Sequence, residues 1–182
     1  MRLMFSISRK NRGFSLAELL VVIAVVGILA VIIFPYYGSA RGQLALQRSA
    51  NKLVQDIRRA QGMALGTEEV GGGVLQGGYG IYINKSEDDK YYIYVDVDGN
   101  QRYNSGDQKI ETIFLEKEVF IQGFIPSSAN FSINFKPPDP IINIKDEPGI
   151  DKENVTIVIA QREDSSKTKT IVVNKAGLIY VE

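Results

Sequence analysis

The sequence predicts an α+β fold in which one long N-terminal helix packs on an antiparallel β-sheet or on a pair of such sheets. Residues 14–65 show a long apolar run followed by a helical pattern. Residues 79–181 show short runs rich in Ile, Val, Tyr, Phe and Thr, each bounded by turn residues. No pattern of helix length separates these runs, so we expect neighbouring strands to pair with one another.

The apolar run is long enough to cross a bilayer. Residues 19–40 contain no charge over 22 positions, and a helix of that length spans about 33 Å. An ordinary secretory signal peptide is the alternative interpretation. Its apolar region is usually about 7 to 15 residues long, which is shorter than the run found here.

The basic residues are concentrated before this run. Four basic residues and no acidic residue precede residue 14, namely Arg2, Arg9, Lys10 and Arg12. Removal of these four from the 21 basic residues leaves 17 against 21 acidic residues, a net charge of −4. Positive charge at this end favours a cytoplasmic N-terminus.

The composition narrows the chemistry that is open to the chain. There is no histidine and no cysteine, so the commonest general base, thiolate metal sites and disulfide bonds are excluded. Lys+Arg and Asp+Glu both number 21, and this balance gives no bulk attraction to nucleic acid. Because no nucleophile arrangement is recognisable either, we predict that the protein is not an enzyme.

One acidic residue lies at the start of the apolar region. A carboxylate such as that of Glu18 costs about 2.5 to 3.5 kcal/mol at mid-bilayer, so a simple anchor would not contain it. Residues 12–24 read RGFSLAELLVVIA. This segment closely resembles the class III signal of type IV pilins and type II secretion pseudopilins, so the expected fold is pilin-like.

The resemblance implies how the chain is processed and assembled. A prepilin peptidase would cut between Gly13 and Phe14 and methylate the new N-terminal Phe14. Glu18 of an incoming subunit would pair with the Phe14 amine of a docked subunit, an arrangement that the four-residue spacing permits. A surface Glu18 without a partner is the alternative. The implied partners are the prepilin peptidase, other pilin or pseudopilin subunits, an inner-membrane assembly platform and the lipid bilayer.

Four segments follow from these patterns. We predict a leader peptide at 1–13, a transmembrane and assembly helix at 14–40, an amphipathic helix at 41–65 and a β-rich globular domain at 66–182. Pro35 lacks a backbone donor and should kink the helix. The predicted location is the inner membrane, with a single pass, a cytoplasmic N-terminus and an extracytoplasmic C-terminal domain. After assembly the filament would be periplasmic or extracellular.

The second helical segment carries an apolar stripe. Its members recur at three- and four-residue steps and are Leu46, Ala50, Leu53, Ile57, Ala60 and Ala64. We expect this face to pack on the globular domain. The glycine-rich loop that follows, residues 66–78, lacks the Gly-Lys-Ser/Thr of a phosphate-binding loop.

Seven strands are predicted in the C-terminal part. They cover residues 79–83, 91–97, 110–115, 131–135, 155–160, 170–173 and 178–181. The last three should form two hairpins, because only short loops separate them. The proline-rich segment 136–149 is expected to run over the surface.

Three parts of the C-terminal region carry a second resemblance, namely the segment 91–107 with the strand that follows it, the segment 131–137 and the terminal hairpin at 170–181. Their pattern resembles the FimT/GspH-like group of minor pilins and minor pseudopilins. It implies a low-abundance subunit of a filament tip or pseudopilus. Some members of type IV pili bind DNA during uptake.

Oxygen-bearing side chains cluster after the second predicted strand. They are Asp96, Asp98, Asn100, Asn104 and Asp107, and their number is adequate for Ca²⁺. The pattern departs from an EF-hand because Gln101 stands where that loop has Gly and Asp107 replaces the bidentate Glu. Asp, Asn and Gly also favour turns. The preferred interpretation is therefore a hairpin loop without metal or other cofactor, and Ca²⁺ is the alternative.

The function that these patterns favour is a structural subunit of a type IV pilus-like filament or of a type II secretion pseudopilus. The alternative is a filament-tip binding module for DNA uptake or adhesion. Basic candidates for DNA contact are Arg162, Lys167, Lys169 and Lys175, but Glu163 and Asp164 interrupt them. A solvated charged face is the preferred interpretation of that region.

Overall fold

The computed structural model describes residues 13–66, 77–137 and 141–182, and it describes the side chains of these residues except 34–40. The chain forms two compact units, Met1–Ala40 and Arg41–Glu182. Within the described residues there are one long helix and ten strands, which confirms the predicted α+β class. The predicted leader at 1–13 lies outside the described residues except for Gly13, as does most of the glycine-rich loop.

The helix α1 runs from Leu16 to Leu65. Its predicted start at Phe14 is two residues early, because Ser15 caps the helix instead of joining it. Pro35 is assigned to the helix. Since its side chain lies outside the described residues, the kink at Pro35 stays a prediction.

Ten strands follow the helix in the described part of the chain. They are β1 Tyr79–Asn84, β2 Lys90–Val95, β3 Gln108–Phe114, β4 Val119–Ile125, β5 Asn130–Lys136, β6 Ile141–Asp146, β7 Asp151–Lys152, β8 Asn154–Gln161, β9 Thr168–Asn174 and β10 Ile179–Val181. They form a six-stranded sheet of order β3-β2-β1-β5-β6-β7 and a four-stranded sheet of order β10-β9-β8-β4. Every pairing is antiparallel, and the two predicted hairpins β8-β9 and β9-β10 are confirmed.

The second half of α1 packs on the sheets through the predicted stripe. All six stripe residues are buried and belong to one core with the apolar side chains of both sheets. Ile57 is fully buried. Arg58 donates a hydrogen bond to the Ile179 carbonyl (3.0 Å), and Tyr91 donates one to the buried Asp56 carboxylate (2.6 Å), so polar contacts also fasten the helix to each sheet.

Three strands escaped prediction, and one of them corrects the surface assignment of the proline-rich segment. β6 pairs with β5 along its whole length, and Ile142 and Ile144 are buried. The prolines flank this strand and do not enter it, which leaves its backbone donors free for the sheet. β4 and β7 are the other two strands that the sequence did not predict.

The two faces of the six-stranded sheet differ in chemistry. Alternate residues of β1, β2 and β5, among them Ile81, Ile93 and Ile133, face the core. On the opposite face, Tyr82 of β1 lies beside Tyr92 of β2, with ring centroids 6.2 Å apart. This outer face is where the connection between β2 and β3 folds.

Candidate functional site

The predicted cleavage point lies just outside the first turn of α1. Gly13, Phe14 and Ser15 have no regular secondary structure and are exposed, and Phe14 keeps 85% of its surface accessible. A β-carbon added at Gly13 would meet no atom within 4 Å. The peptide bond between Gly13 and Phe14 is therefore open to approach from outside the chain.

Glu18 is held by a partner that the sequence interpretation did not name. Its Oε2 accepts hydrogen bonds from the Ser15 backbone nitrogen (2.9 Å) and from Ser15 Oγ (3.0 Å), and its own backbone nitrogen donates to Ser15 Oγ (3.2 Å). This reciprocal arrangement is a capping box. The spacing Ser15-x-x-Glu18 is its sequence signal, so the contact was predictable.

The first part of α1 is apolar on all sides, and no residue that the structure describes covers it. Residues Leu16–Ile33 have a mean hydropathy of 3.1, and none of this stretch is buried. By length and composition it is the one helix among the described residues that suits a membrane crossing. A helix that is apolar all round needs an apolar environment to cover it.

A second cluster of functional side chains lies in the connection between β2 and β3, residues 96–107, which we call the acidic loop. The structure brings together one carboxylate oxygen each of Asp96, Asp98 and Asp107, all within 4.8 Å of one another. Asp96 is buried, Asp107 is half-buried and Asp98 is exposed. Burial, together with the neighbouring acidic groups, raises the pKa of Asp96 to about 6.

Backbone donors hold the carboxylates of the acidic loop in place. Asp96 accepts hydrogen bonds from the nitrogens of Gly99 (2.8 Å) and Gln101 (2.7 Å). Asp107 accepts them from the nitrogens of Val97 (3.0 Å) and Asn104 (2.7 Å). Hydrogen bonds to its own acidic side chains thus hold the backbone of the loop.

The two asparagines of the predicted set also point inward. Asn100 Nδ2 and Asn104 Nδ2 both donate to Asp98 Oδ2, at 2.7 Å and 2.8 Å. Asn100 Oδ1 accepts a hydrogen bond from the Arg102 nitrogen (2.7 Å). All five oxygen-bearing residues that the sequence singled out therefore belong to one network.

The acidic loop lies on the outer face of the six-stranded sheet. Tyr103 packs against Tyr82, with ring centroids 4.5 Å apart, and its edge meets Tyr94 at 5.3 Å. The Tyr103 nitrogen donates to Ser132 Oγ (3.0 Å), and Lys145 donates to the Asn100 carbonyl (2.7 Å). Contacts to β1, β2, β5 and β6 hold the loop against the sheet.

Two buried groups beneath the loop were not singled out from the sequence. Asn134 of β5 is fully buried and points its amide at Asp96, with Nδ2 3.5 Å from Asp96 Oδ2. Its Oδ1 has no hydrogen-bond partner, and neither has the buried Tyr94 hydroxyl. No local sequence signal connects Asn134 with the loop, because a separate strand brings it there.

The basic side chains considered for DNA contact are mostly paired with acids. Arg162 pairs with Asp88 (3.0 Å) and Lys167 with Asp164 (3.7 Å). Lys175 contacts both Asp151 (2.7 Å) and Glu153 (3.4 Å). The local positive potential is offset wherever these pairs form.

The comparisons with known proteins bear on the N-terminal region. Residues 8–34 match the family model described as the prokaryotic N-terminal methylation motif. No curated protein and no solved structure matches the chain. The match covers Gly13, Phe14 and Glu18, and it supports a type IV pilin-like substrate of a prepilin peptidase.

Proposed function

We propose that the chain is a structural subunit of a type IV pilus-like filament or of a type II secretion pseudopilus. One observation carries the proposal: the methylation motif leads directly into a helix whose apolar side chains are exposed on all sides. Before assembly a bilayer would cover this surface, and after assembly the equivalent helices of neighbouring subunits would do so. The proposal assigns no catalysis to the chain.

Processing at Gly13 and Phe14 fits this role. Cleavage between them would remove the basic leader and leave Phe14 as an N-terminal amine one residue before the helix cap. Methylation of this amine by the same prepilin peptidase is part of the proposal. The exposure of both residues supports it.

The carboxylate of Glu18 would then guide assembly. Among the described residues its side chain has only neutral donors, both from Ser15. In an apolar environment an uncompensated carboxylate is costly. The Phe14 amine of a docked neighbour would supply the missing positive charge, so the incoming subunit is stabilised when the two meet.

The proposed location and partners follow from the same features. The chain would be a single-pass inner-membrane protein with a cytoplasmic N-terminus. An assembly platform would transfer it from the membrane to the filament. Within the family, we propose a minor subunit of the FimT/GspH-like group, supported by the terminal β9-β10 hairpin and by the acidic loop that follows β2. A filament-tip role in DNA uptake or adhesion stays a prediction from the sequence.

Processing is tested on the full chain co-expressed with a prepilin peptidase. We expect mass spectrometry to find a new N-terminus at Phe14 that carries one added methyl group. Gly13→Leu should abolish cleavage, since the resemblance implies that a residue without a side chain is required at this position. Gly27→Leu, within α1 and beyond the cut, should be cleaved normally. Cleavage of Gly13→Leu, or a cut elsewhere in the wild type, would contradict the proposal.

Assembly is tested with two variants that separate pairing from capping. Glu18→Gln removes the charge, whereas Ser15→Ala removes the capping hydroxyl and keeps the carboxylate. Both should be cleaved, but only Glu18→Gln should be depleted from filaments sheared off cells that contain the assembly machinery. Depletion of Ser15→Ala but not of Glu18→Gln would assign Glu18 to capping alone, because glutamine keeps the capping contact.

A further inference from the structure

The acidic loop has the spacing of a twelve-residue calcium loop. Such loops take ligands from positions 1, 3, 5, 7, 9 and 12, with position 7 contributing a backbone carbonyl and position 6 requiring a sharp turn. In this chain those positions fall on Asp96, Asp98, Asn100, Arg102, Asn104 and Asp107. Five of the six therefore carry side-chain oxygens, and Arg102 stands where only its carbonyl is needed.

The backbone corrects the objection that the sequence raised at Gln101. Position 6 is normally Gly because it must adopt a positive φ. Gln101 has a φ of 64° and is the one residue other than glycine with positive φ in the described part of the chain. The side chain at this position therefore does not prevent the loop from turning as a calcium loop turns.

The charges of the loop are not compensated by the protein. The ion pairs formed among the described residues include none with Asp96, Asp98 or Asp107. Three cationic side chains reach this part of the molecule. Lys145 and Arg102 bind the carbonyl oxygens of Asn100 and Pro148, and Lys109 lies over the Tyr92 ring (3.8 Å). Three clustered carboxylates without a counter-charge favour a bound cation.

An independent observation, made on the residues beneath the loop, indicates a bound ligand. Buried polar atoms nearly always have partners, yet Asn134 Oδ1 has none. The Asn134 amide already faces Asp96. Rotation of this amide by half a turn would set its oxygen beside the buried carboxylate of Asp96. Two acceptors that face each other are unfavourable alone, and a cation between them stabilises the arrangement.

We propose that the acidic loop binds one Ca²⁺ ion, with Asn134 beneath the ion. The ligands come from the Arg102 carbonyl and from the side chains of Asp96, Asp98, Asn100, Asn104 and Asp107. The amides of Asn100 and Asn104, which now donate to Asp98, would turn their oxygens to the ion. An all-oxygen set of irregular geometry suits Ca²⁺ better than Mg²⁺, which demands a near-ideal octahedron. The absence of nitrogen and sulfur ligands disfavours the softer transition metals.

Binding would fasten the acidic loop to the sheet. The loop carries Tyr103, which packs on Tyr82 and Tyr94, so an ion that fixes the loop also fixes this aromatic contact. A ligand that binds only the folded state raises its stability by mass action. This site does not depend on the filament role, because an uncleaved chain has the same loop.

Calorimetric titration of the full chain in detergent with CaCl₂, after treatment with a chelator, tests the proposal. We expect one ion per chain with a Kd between about 10⁻⁶ and 10⁻³ M and much weaker binding of MgCl₂. Asp98→Asn and Asp107→Asn should each weaken Ca²⁺ binding about tenfold or more, because each removes one ligand charge. At position 98 asparagine keeps an acceptor for the Asn100 nitrogen, which protects the fold. At position 107 it loses one of the two acceptors that the Val97 and Asn104 nitrogens use, so Asp98→Asn is the decisive variant.

The matched control is Asp164→Asn. Asp164 accepts hydrogen bonds from the Ser166 nitrogen (3.2 Å) and hydroxyl (2.5 Å) in the β8-β9 hairpin, so it has a similar turn role outside the acidic loop. The Asp164→Asn variant should bind Ca²⁺ with the affinity of the wild type. A folded wild-type chain that takes up no Ca²⁺ at millimolar concentration, or an Asp98→Asn variant that binds equally well, would overturn the proposal.

Thermal unfolding gives a second readout. Ca²⁺ should raise the Tm of the wild type and of Asp164→Asn relative to the same samples with chelator, and raise that of Asp98→Asn less. Asn134→Leu, which keeps the branched shape of the buried side chain and removes its oxygen, should weaken Ca²⁺ binding about tenfold. An equal Tm shift in all four proteins would show that the ion acts elsewhere on the surface.

Discussion

The two halves of helix α1 carry similar apolar side chains in opposite environments. Ile23, in the first unit, has 56% of its surface exposed, whereas Ile57, in the second, has none. The first half is apolar on every side, and the second alternates an apolar stripe with charged residues. The comparison teaches that the second half completes its packing within the chain, while the first half needs an apolar partner from outside it.

The largest expected effect comes from placing charge in the first half. Val25→Arg combined with Ile28→Arg should cost about 5 to 7 kcal/mol of membrane insertion, at about 2.5 to 3.5 kcal/mol for each arginine near mid-bilayer. The measurement is the fraction of full chain that stays in membranes after alkaline carbonate extraction. We expect that fraction to fall sharply.

The control places the same charges on exposed apolar residues of the second unit. Phe114 and Ile125 are each 61% exposed, and their double replacement by Arg should leave extraction unchanged. If both double variants stay in the membrane equally, the exposed apolar surface of the first half does not serve to bind lipid.

A smaller effect is expected from one truncation made in each half. Ile57→Ala should lower the free energy of unfolding of the second unit by about 2 to 5 kcal/mol, because it leaves a cavity in the core. Ile23→Ala should change it by less than about 0.5 kcal/mol. Urea unfolding of the full chain in detergent, followed by the β-sheet signal in circular dichroism, measures both. Equal losses would mean that the two halves do not differ as described.

The same contrast explains what the sequence could predict. The membrane-suited stretch, the stripe of Leu53 and Ile57 and the terminal hairpins were predictable, because each signal is periodic or lies within a few neighbouring residues. The capping box of Ser15 and Glu18 has a local signal as well. β6 was missed because its flanking prolines suggested a surface loop, and only the pairing with β5 shows that they mark its ends.

The acidic loop shows where sequence reasoning stops. Its oxygen-bearing residues were identified, but the positive φ of Gln101 is a property of the folded backbone. Asn134 approaches Asp96 only because β1 joins β2 to β5. Neither fact has a signal in the residues around the loop, so the two observations that favour an ion came from the structure alone.

Two glycines, one in each unit, sharpen the comparison between packed and exposed positions. A β-carbon at Gly80 would lie 2.5 Å from Tyr94 Cε1 and 2.7 Å from the Ile133 carbonyl oxygen, whereas one at Gly27 would meet nothing within 4 Å. Gly80→Ala should therefore lower the free energy of unfolding by about 1 to 3 kcal/mol, and Gly27→Ala should not lower it. The urea midpoint measures both. An unchanged midpoint for Gly80→Ala would mean that Tyr94 does not need to lie across β1.

The smallest expected effect is a loss of stability in alkali that belongs to the second unit. Burial, together with the Asp56 carboxylate that accepts its hydrogen bond, raises the pKa of Tyr91 far above its ordinary value, and burial raises the pKa of Tyr94 as well. Both tyrosines keep their protons in the folded state where the unfolded chain loses them. Their stabilising contribution is complete below about pH 10 and falls above it, by about 1.4 kcal/mol per pH unit for each tyrosine.

Tyr91→Phe isolates this contribution from the titration of lysines. Below about pH 10 the variant should be less stable than the wild type, because the buried Asp56 loses a hydrogen-bond donor. Above that pH the free energy of unfolding of the variant should fall less steeply than that of the wild type, because the contribution of Tyr91 is missing. The curves of the two proteins against pH therefore converge. Tyr180→Phe, at an exposed position, should run parallel to the wild type. Parallel curves for all three proteins would place the alkaline transition outside the contact between Tyr91 and α1.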